Sequence, residues 1–117
     1  MEEPTKFEEQ KRAISRFTSV FLKEHFSFSV QSISLLMDNQ MVVIRVDDFL
    51  SPAEIEMGLE REKRRLIDDA YSREFDAIKS SLVDRISEIT GKRILTCRFG
   101  MIYKTRTCMM TFFLSSK

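Results

Sequence analysis

The chain has 117 residues, a length at which one domain can bury a hydrophobic core without disulfides or metal ions. Its 43% hydrophobic and 32% charged residues are typical of a globular protein, and a net charge of +1 argues against binding nucleic acid or anionic lipid through overall charge. No apolar run reaches the roughly 20 residues of a membrane span, and the acidic N-terminus lacks the apolar segment of a signal peptide. Two cysteines are too few for the disulfide framework of a small secreted protein. We therefore expect one cytoplasmic domain over residues 1–117.

The first predicted element is an amphipathic helix that follows a loose lead-in at residues 1–4 and ends near His25. Thr5 and Glu8 have the spacing of a capping box. Apolar residues then recur at helical spacing, at Phe7, Ile14, Phe17 and Phe21. His25 is the only histidine, and near a helix C-terminus it is more typical of a partner for the helix dipole than of a catalyst.

A β-hairpin is predicted next. The segment 28–37 alternates imperfectly between apolar and polar residues, Asp38-Asn39 is a turn signal, and the segment 41–46 is rich in β-branched residues. Asp47 and Asp48 follow the second strand. We interpret them as turn acids near a helix N-terminus, with a cation site or an acid–base pair as the alternative.

The central segment reads as a long helix whose start is well marked. Ser51 is the predicted N-cap, Pro52 the first helical residue and Glu54 the acid that completes a capping box, while Gly91 follows the helix end. An unbroken helix over residues 52–90 would span about 58 Å, against a diameter of about 35 Å for a compact domain of this size. We therefore expect a break near Gly58 or in the charged block 60–65, or a homodimer that covers the excess apolar surface.

Apolar residues mark one line along this helix: Ile55, Leu59, Leu66, Ala70, Phe75, Ile78, Leu82, Ile86 and Ile89. Within the charged block, Glu60 and Arg64 have the i,i+4 spacing of a helical ion pair. The row of apolar residues therefore predicts a helix face that packs on the rest of the domain, and the charged block 60–65 predicts a solvent-exposed face.

A second hairpin is predicted from residues 94–99 and 108–114, with its turn within residues 101–106 and a bend or bulge at Gly100. Cys97 and Cys108 lie about equally far from the centre of that turn, so they could be cross-strand neighbours. Buried free thiols are the favoured interpretation, with a regulatory disulfide as the alternative. The order αββαββ predicts an α+β fold, in which a four-stranded antiparallel sheet carries the N-terminal helix and the long central helix on one face.

The sequence shows no phosphate-binding glycine loop, nucleophile elbow or zinc helix motif, and we predict no catalytic, cofactor-binding or metal residues. The one candidate interaction surface is on the second hairpin, at Arg98, Tyr103, Lys104 and Arg106. Basic residues beside a tyrosine are also typical of a weak nucleic-acid site, which the near-neutral total charge makes unlikely. A sensor that holds a small ligand near Asp47 or Cys97 is a further alternative.

The order of these motifs resembles the MpsC-like family of small bacterial domains. The resemblance rests on residues 38–46 as turn acid and Val-rich strand, residues 49–54 as the Phe-Leu-Ser-Pro-Ala-Glu cap, Arg64 or Arg65, Phe75, and the Thr-Gly-Lys stop at residues 90–92. It runs from about Ile14 to Leu114. The family name implies an accessory part of a sodium-translocating, membrane-potential-generating system.

The resemblance supplies no catalytic residue, so we expect a non-enzymatic interaction domain, homodimeric, peripheral to the inner face of the membrane and part of a membrane ion-transport complex. Family members tend to carry acidic residues around the turn of the last hairpin, whereas this chain has Gly100, Lys104 and Arg106 there. A cation or partner bound by that acidic turn in other members would be lost or changed here.

Overall fold

The computed structural model describes residues 6–26 and 32–116 of the chain. Its elements, in order, are α1 (Lys6–Phe26), β1 (Ser32–Met37), β2 (Met41–Asp47), α2 (Pro52–Met57), α3 (Arg61–Thr90), β3 (Ile94–Ile102) and β4 (Thr107–Leu114). A short 3-10 turn at Tyr103–Thr105 joins the last two strands. The predicted lead-in, the Thr5 cap, the first part of the predicted first strand and the last residue of the tail lie outside the described residues.

The four strands form one antiparallel sheet in the order β1-β2-β4-β3. Each hairpin therefore contributes one edge strand and one central strand, and the central strands β2 and β4 join the two halves of the chain. α1 packs against β1 and α3, and α3 packs against β3, so both long helices cover one face of the sheet. The α+β prediction is confirmed.

The core lies between this face and the two helices. Alternate residues of the central strands point into it, and the helices add apolar residues at helical spacing. Its fully buried members include Val42, Ile44, Val46, Cys108, Met110 and Phe112 from the sheet and Ile14, Leu22, Phe75, Leu82 and Ile86 from the helices. Burial of each large apolar side chain stabilises the fold by about 1.5–3 kcal/mol before conformational entropy is counted.

The long predicted helix breaks where the sequence favoured a break. α2 ends at Met57 with Gly58 as its C-cap, and α3 begins at Arg61 after an extended Glu60. Gly58 is buried beneath the ring of Tyr103, where a Cβ atom would lie 2.6 Å from the ring carbon Cδ1. α3 alone is about 45 Å long at 1.5 Å per residue, which accounts for the 48 Å longest dimension of the molecule.

The predicted apolar line is buried only in its later part. Leu59 and Leu66 are 81% and 66% exposed, and the buried residue in this region is Ile67 instead. The reason is the break, because Leu59 lies between the two helices and α3 begins at Arg61 with Ile67, not Leu66, towards the core. The expected ion pair is also wrong, since Glu60 pairs with Lys63 at 3.3 Å.

Two predictions about strand pairing in the second hairpin are wrong: Cys97 and Cys108 as cross-strand neighbours, and a bend or bulge at Gly100. Cys97 is paired with Phe112 and Cys108 with Met101, so the thiols are not cross-strand neighbours, and both are free. The turn lies at residues 103–106, within the predicted range, and it is closer to Cys108 than to Cys97. The irregularity in the strand pairing lies between Ile94 and Thr96, whereas Gly100 pairs regularly with Met109.

No helix in the described ranges combines the length and the hydropathy needed to cross a membrane.

Candidate functional site

The capping box at the start of α2 is present and has an additional partner. The backbone N–H of Glu54 donates to Ser51 Oγ at 3.2 Å, and the backbone N–H of Ser51 donates to Glu54 Oε1 at 2.9 Å. The hydroxyl of Tyr71 donates to the other carboxylate oxygen, Oε2, at 2.6 Å. Burial, and then this bond, raise the pKa of Tyr71 well above its usual range. Glu54 therefore holds α2 against α3 as well as starting α2.

Tyr103, one of the predicted surface residues, fixes the second hairpin to α3. Its hydroxyl donates to Asp68 Oδ1 at 2.7 Å, and the guanidinium of Arg64 lies 5.9 Å from its ring centroid. Burial and the bond to Asp68 raise the pKa of Tyr103 well above its usual range. The side chain is half-buried and engaged within the protein.

Arg106 is similarly engaged, and it adopts a left-handed backbone conformation with φ 57°. Its guanidinium pairs with Asp48 at 2.9 Å, and its carbonyl accepts a hydrogen bond from the N–H of Phe49 at 2.9 Å. Asp48 is left-handed as well, with φ 53°. These contacts join the turn of the second hairpin to the end of β2.

The four predicted surface residues therefore do not form one basic patch. Lys104 is exposed at the turn, whereas Arg98 is exposed further along β3, on the opposite side of the sheet from the helices. Asp47 and Asp48, the alternative cation site or acid–base pair, bind different partners: Asp47 pairs with Arg45 at 2.8 Å, and Asp48 pairs with Arg106. This arrangement does not favour a nucleic-acid surface.

The two thiols are buried to different degrees, and the histidine is exposed. Cys108 is fully buried, and burial raises its pKa far above the usual value; burial also raises the pKa of the half-buried Cys97. The ring of His25 lies 4.7 Å from that of Phe21, measured between centroids. Over the described ranges, no group of three or more His, Cys, Asp or Glu residues is arranged to hold a metal ion.

The first uncovered apolar surface is the side of the sheet that faces away from the helices, here called the open face. Its apolar side chains are Leu36, Met41, Val43, Ile102, Met109 and Phe113, its charged ones are Arg45, Asp47 and Arg98, and its uncharged polar ones are Ser32, Ser34, Thr96, Thr107 and Thr111. Leu36 is 70% exposed and Ile102 46%. A shallow depression of about 450 Å³ lies among Leu36, Val43, Ile102 and Met109. No described element covers this face.

The second uncovered apolar surface lies around the break between α2 and α3, at residues 57–66, here called the elbow. Met57, Leu59 and Leu66 are all exposed there. Beside them a groove of about 460 Å³ runs between the end of α1 and the two later helices, lined by His25, Phe26, Glu54, Met57, Leu66, Ile67, Ala70, Tyr71 and Glu74. Its floor is largely apolar, and its charged lining residues are the acids Glu54 and Glu74.

The open face was missed at the sequence level, although a signal was present. β2 and β4 carry adjacent apolar residues, as in Val42-Val43 and Phe112-Phe113, whereas a strand with one solvated face alternates strictly. Apolar residues at both odd and even positions of a strand place apolar side chains on both faces of the sheet, which indicates that both faces are buried. The exposure of the elbow could not be foreseen, because it depends on how α3 packs after the break.

A protein-family model described as "Na+-translocating membrane potential-generating system (MpsC)" matches residues 7–116, nearly the whole chain. No curated protein matches the chain, and no solved structure does.

Proposed function

Because the chain belongs to the MpsC family, we propose that it is a soluble, non-enzymatic accessory domain of a Na⁺-translocating, membrane-potential-generating system. In this proposal the chain lies in the cytoplasm, peripheral to the inner face of the membrane, and acts by binding another protein of the system. The raised pKa values of its two thiols argue against thiolate chemistry, because the thiolate is the reactive form.

The observation that carries the proposal is the apolar elbow with its acidic groove. Leu59 and Leu66 project from a stretch of otherwise charged residues, and clustered exposed apolar side chains mark protein-binding sites. The groove beside them is large enough for several side chains of a partner. Glu54 and Glu74 give its lining a negative charge.

The chemistry of this groove fits a basic, amphipathic segment. Cytoplasmic loops next to membrane spans carry an excess of Lys and Arg. Such a segment could place apolar residues on Ile67 and Met57 and its cations near Glu54 and Glu74. This match supports a partner that is itself a membrane protein, and it supports the inner face as the location.

The test is capture of the membrane components of the system by the tagged full-length chain from detergent-solubilised membranes, identified by mass spectrometry. We expect Leu66→Glu to reduce capture at least tenfold, since it places a carboxylate in an acidic apolar site, roughly 1.4 kcal/mol or more of lost binding. The matched control is Val20→Glu on α1, where Val20 is 54% exposed and lies outside the groove.

Capture that is unchanged by Leu66→Glu, or equally reduced by Val20→Glu, would contradict the elbow as the binding site. Absence of any ion-transport component from the captured proteins would contradict the accessory role itself. We also propose that the chain is a homodimer whose interface does not include the elbow.

A further inference from the structure

We propose that the open face of the sheet is the interface of a two-fold symmetric homodimer, in which two copies pack sheet against sheet. The proposal rests on the homodimer part of the proposed function and is independent of the membrane partner. The dimer would be a sandwich with both sheets at its centre and the helices of each copy outside.

The apolar part of the open face has the composition of an interface core. Such cores are depleted in charge and enriched in methionine and aromatic residues. Val43 and Met109 lie near the middle of the central strands β2 and β4, and Met41 and Phe113 pair with each other at one end of these strands. Solvated faces of antiparallel sheets carry polar side chains at these positions.

The charged residues of the face fit burial against an uncharged partner. Arg45 and Asp47 neutralise each other through a 2.8 Å ion pair within one copy. Arg98 lies on the edge strand β3, opposite Thr111, where its long side chain can reach water at the rim. The face therefore offers no strong field to an acidic or basic ligand, and another nearly neutral apolar face is its matching partner. With a net charge of +1, two copies do not repel each other.

The flat area of the face provides part of the contact that a second copy needs. Four strands about 4.8 Å apart and about six residues long give a footprint of roughly 19 by 21 Å. This footprint is about 400 Å², half of the roughly 800 Å² per partner of a standard specific interface, so the relief of the side chains and the rim of each copy would have to supply the rest. Two flat apolar sheets pack about 10 Å apart with interdigitated side chains, which a two-fold axis parallel to the sheets provides.

Sedimentation equilibrium or light scattering of the full chain, over roughly 1–100 µM, tests the proposal. We expect a mass twice that of the 13.8 kDa chain. Val43→Lys on the central strand β2 should weaken dimerisation roughly 100-fold or more, because symmetry buries two unpaired ammonium groups. Leu36→Lys on the edge strand β1 should weaken it roughly tenfold, because its ammonium group can reach water at the rim and mainly the apolar contact is lost. Leu36 is 70% exposed in the single copy, so its replacement should leave the fold intact, as circular dichroism would show.

The matched control is Leu66→Lys, which introduces the same charge at a site of similar exposure on the elbow and should leave the dimer unchanged. A wild-type chain that stays monomeric at all these concentrations would overturn the proposal, as would a dimer that persists in both sheet variants or dissociates in Leu66→Lys. A monomer that still captures the ion-transport components through its elbow would overturn this inference alone and leave the accessory function standing. A monomer in which Leu36→Lys abolishes that capture would assign the open face to the membrane partner instead.

Discussion

The contact between Gly58 and Tyr103 gives the sharpest prediction about stability. Gly58 has φ −68° and ψ −9°, a right-handed conformation that alanine also adopts. On backbone grounds alone, Gly58→Ala should therefore stabilise the fold by about 0.4–1 kcal/mol, through a less flexible unfolded chain.

The packing around Gly58 reverses this sign. An added Cβ atom would lie 2.6 Å and 2.7 Å from Cδ1 and Cε1 of Tyr103, and 3.2 Å from the carbonyl oxygen of Glu54. Carbon atoms in contact need about 3.5–4.0 Å, so the ring must move by about 1 Å. That movement strains the 2.7 Å hydrogen bond from Tyr103 to Asp68. Overpacking costs about 1–3 kcal/mol and loss of a bond to a charged group about 1.5–3 kcal/mol.

We expect Gly58→Ala to destabilise the chain by a net of about 1–3 kcal/mol, since part of each cost is relieved when the ring shifts. For a domain of this size, the unfolding midpoint falls by about 4 °C for each kcal/mol. Urea unfolding followed by circular dichroism measures the difference. Gly100→Ala is the matched control, because a Cβ at Gly100 meets nothing within 4 Å.

A double-mutant cycle isolates the contact from other effects of the substitution. In a Tyr103→Ala background the ring is absent, and Gly58→Ala should become neutral or stabilising by about 0.4–1 kcal/mol. The explanation fails if Gly58→Ala destabilises both backgrounds equally, or if it stabilises the wild-type chain.

Two further predictions follow from the perturbed side chains. Tyr71 and Tyr103 have folded-state pKa values above the ordinary 10.0, so the unfolded chain loses these protons first and stability should fall as the pH rises above 10. Urea titrations at high pH should show a smaller fall of the unfolding free energy in the Tyr71→Phe and Tyr103→Phe variants. If the unfolding free energy of both variants depends on pH as it does in the wild-type chain, the raised pKa values are refuted. For the thiols, a disulfide reagent at neutral pH should modify Cys108 at least roughly 100-fold more slowly in the folded chain than in urea, and Cys97 at an intermediate rate. Rapid modification of folded Cys108, or an oxidised chain with Cys97 joined to Cys108, would contradict the register of β3 and β4.

Local signals in the sequence predicted the elements and their order well. Ser51 and Glu54 mark a helix start because the cap is built from neighbouring residues, and Gly91 has the left-handed φ of 71° that follows a helix end. The break near Gly58 was also foreseeable, because an unbroken helix would have exceeded the size of the domain.

Features that depend on distant parts of the chain were not predictable in the same way. The pairing of Cys97 with Phe112 depends on where the hairpin turns, and several residues between 101 and 106 suited a turn. The engagement of Tyr103 by Asp68 depends on how β3 and α3 pack together. Among these features, only the apolar character of the open face is indicated by the local sequence, through the adjacent apolar residues of the central strands β2 and β4.

The pairing of β2 with β4 has a consequence for how the protein reaches its native state. Paired residues such as Val46 and Cys108 lie about 60 positions apart, and such long loop closures slow folding. A hairpin by itself is marginally stable in water, so β1 and β2 gain lasting order only when β4 arrives beside them. During synthesis on the ribosome, the first half should therefore remain open and attractive to chaperones until the second half has emerged.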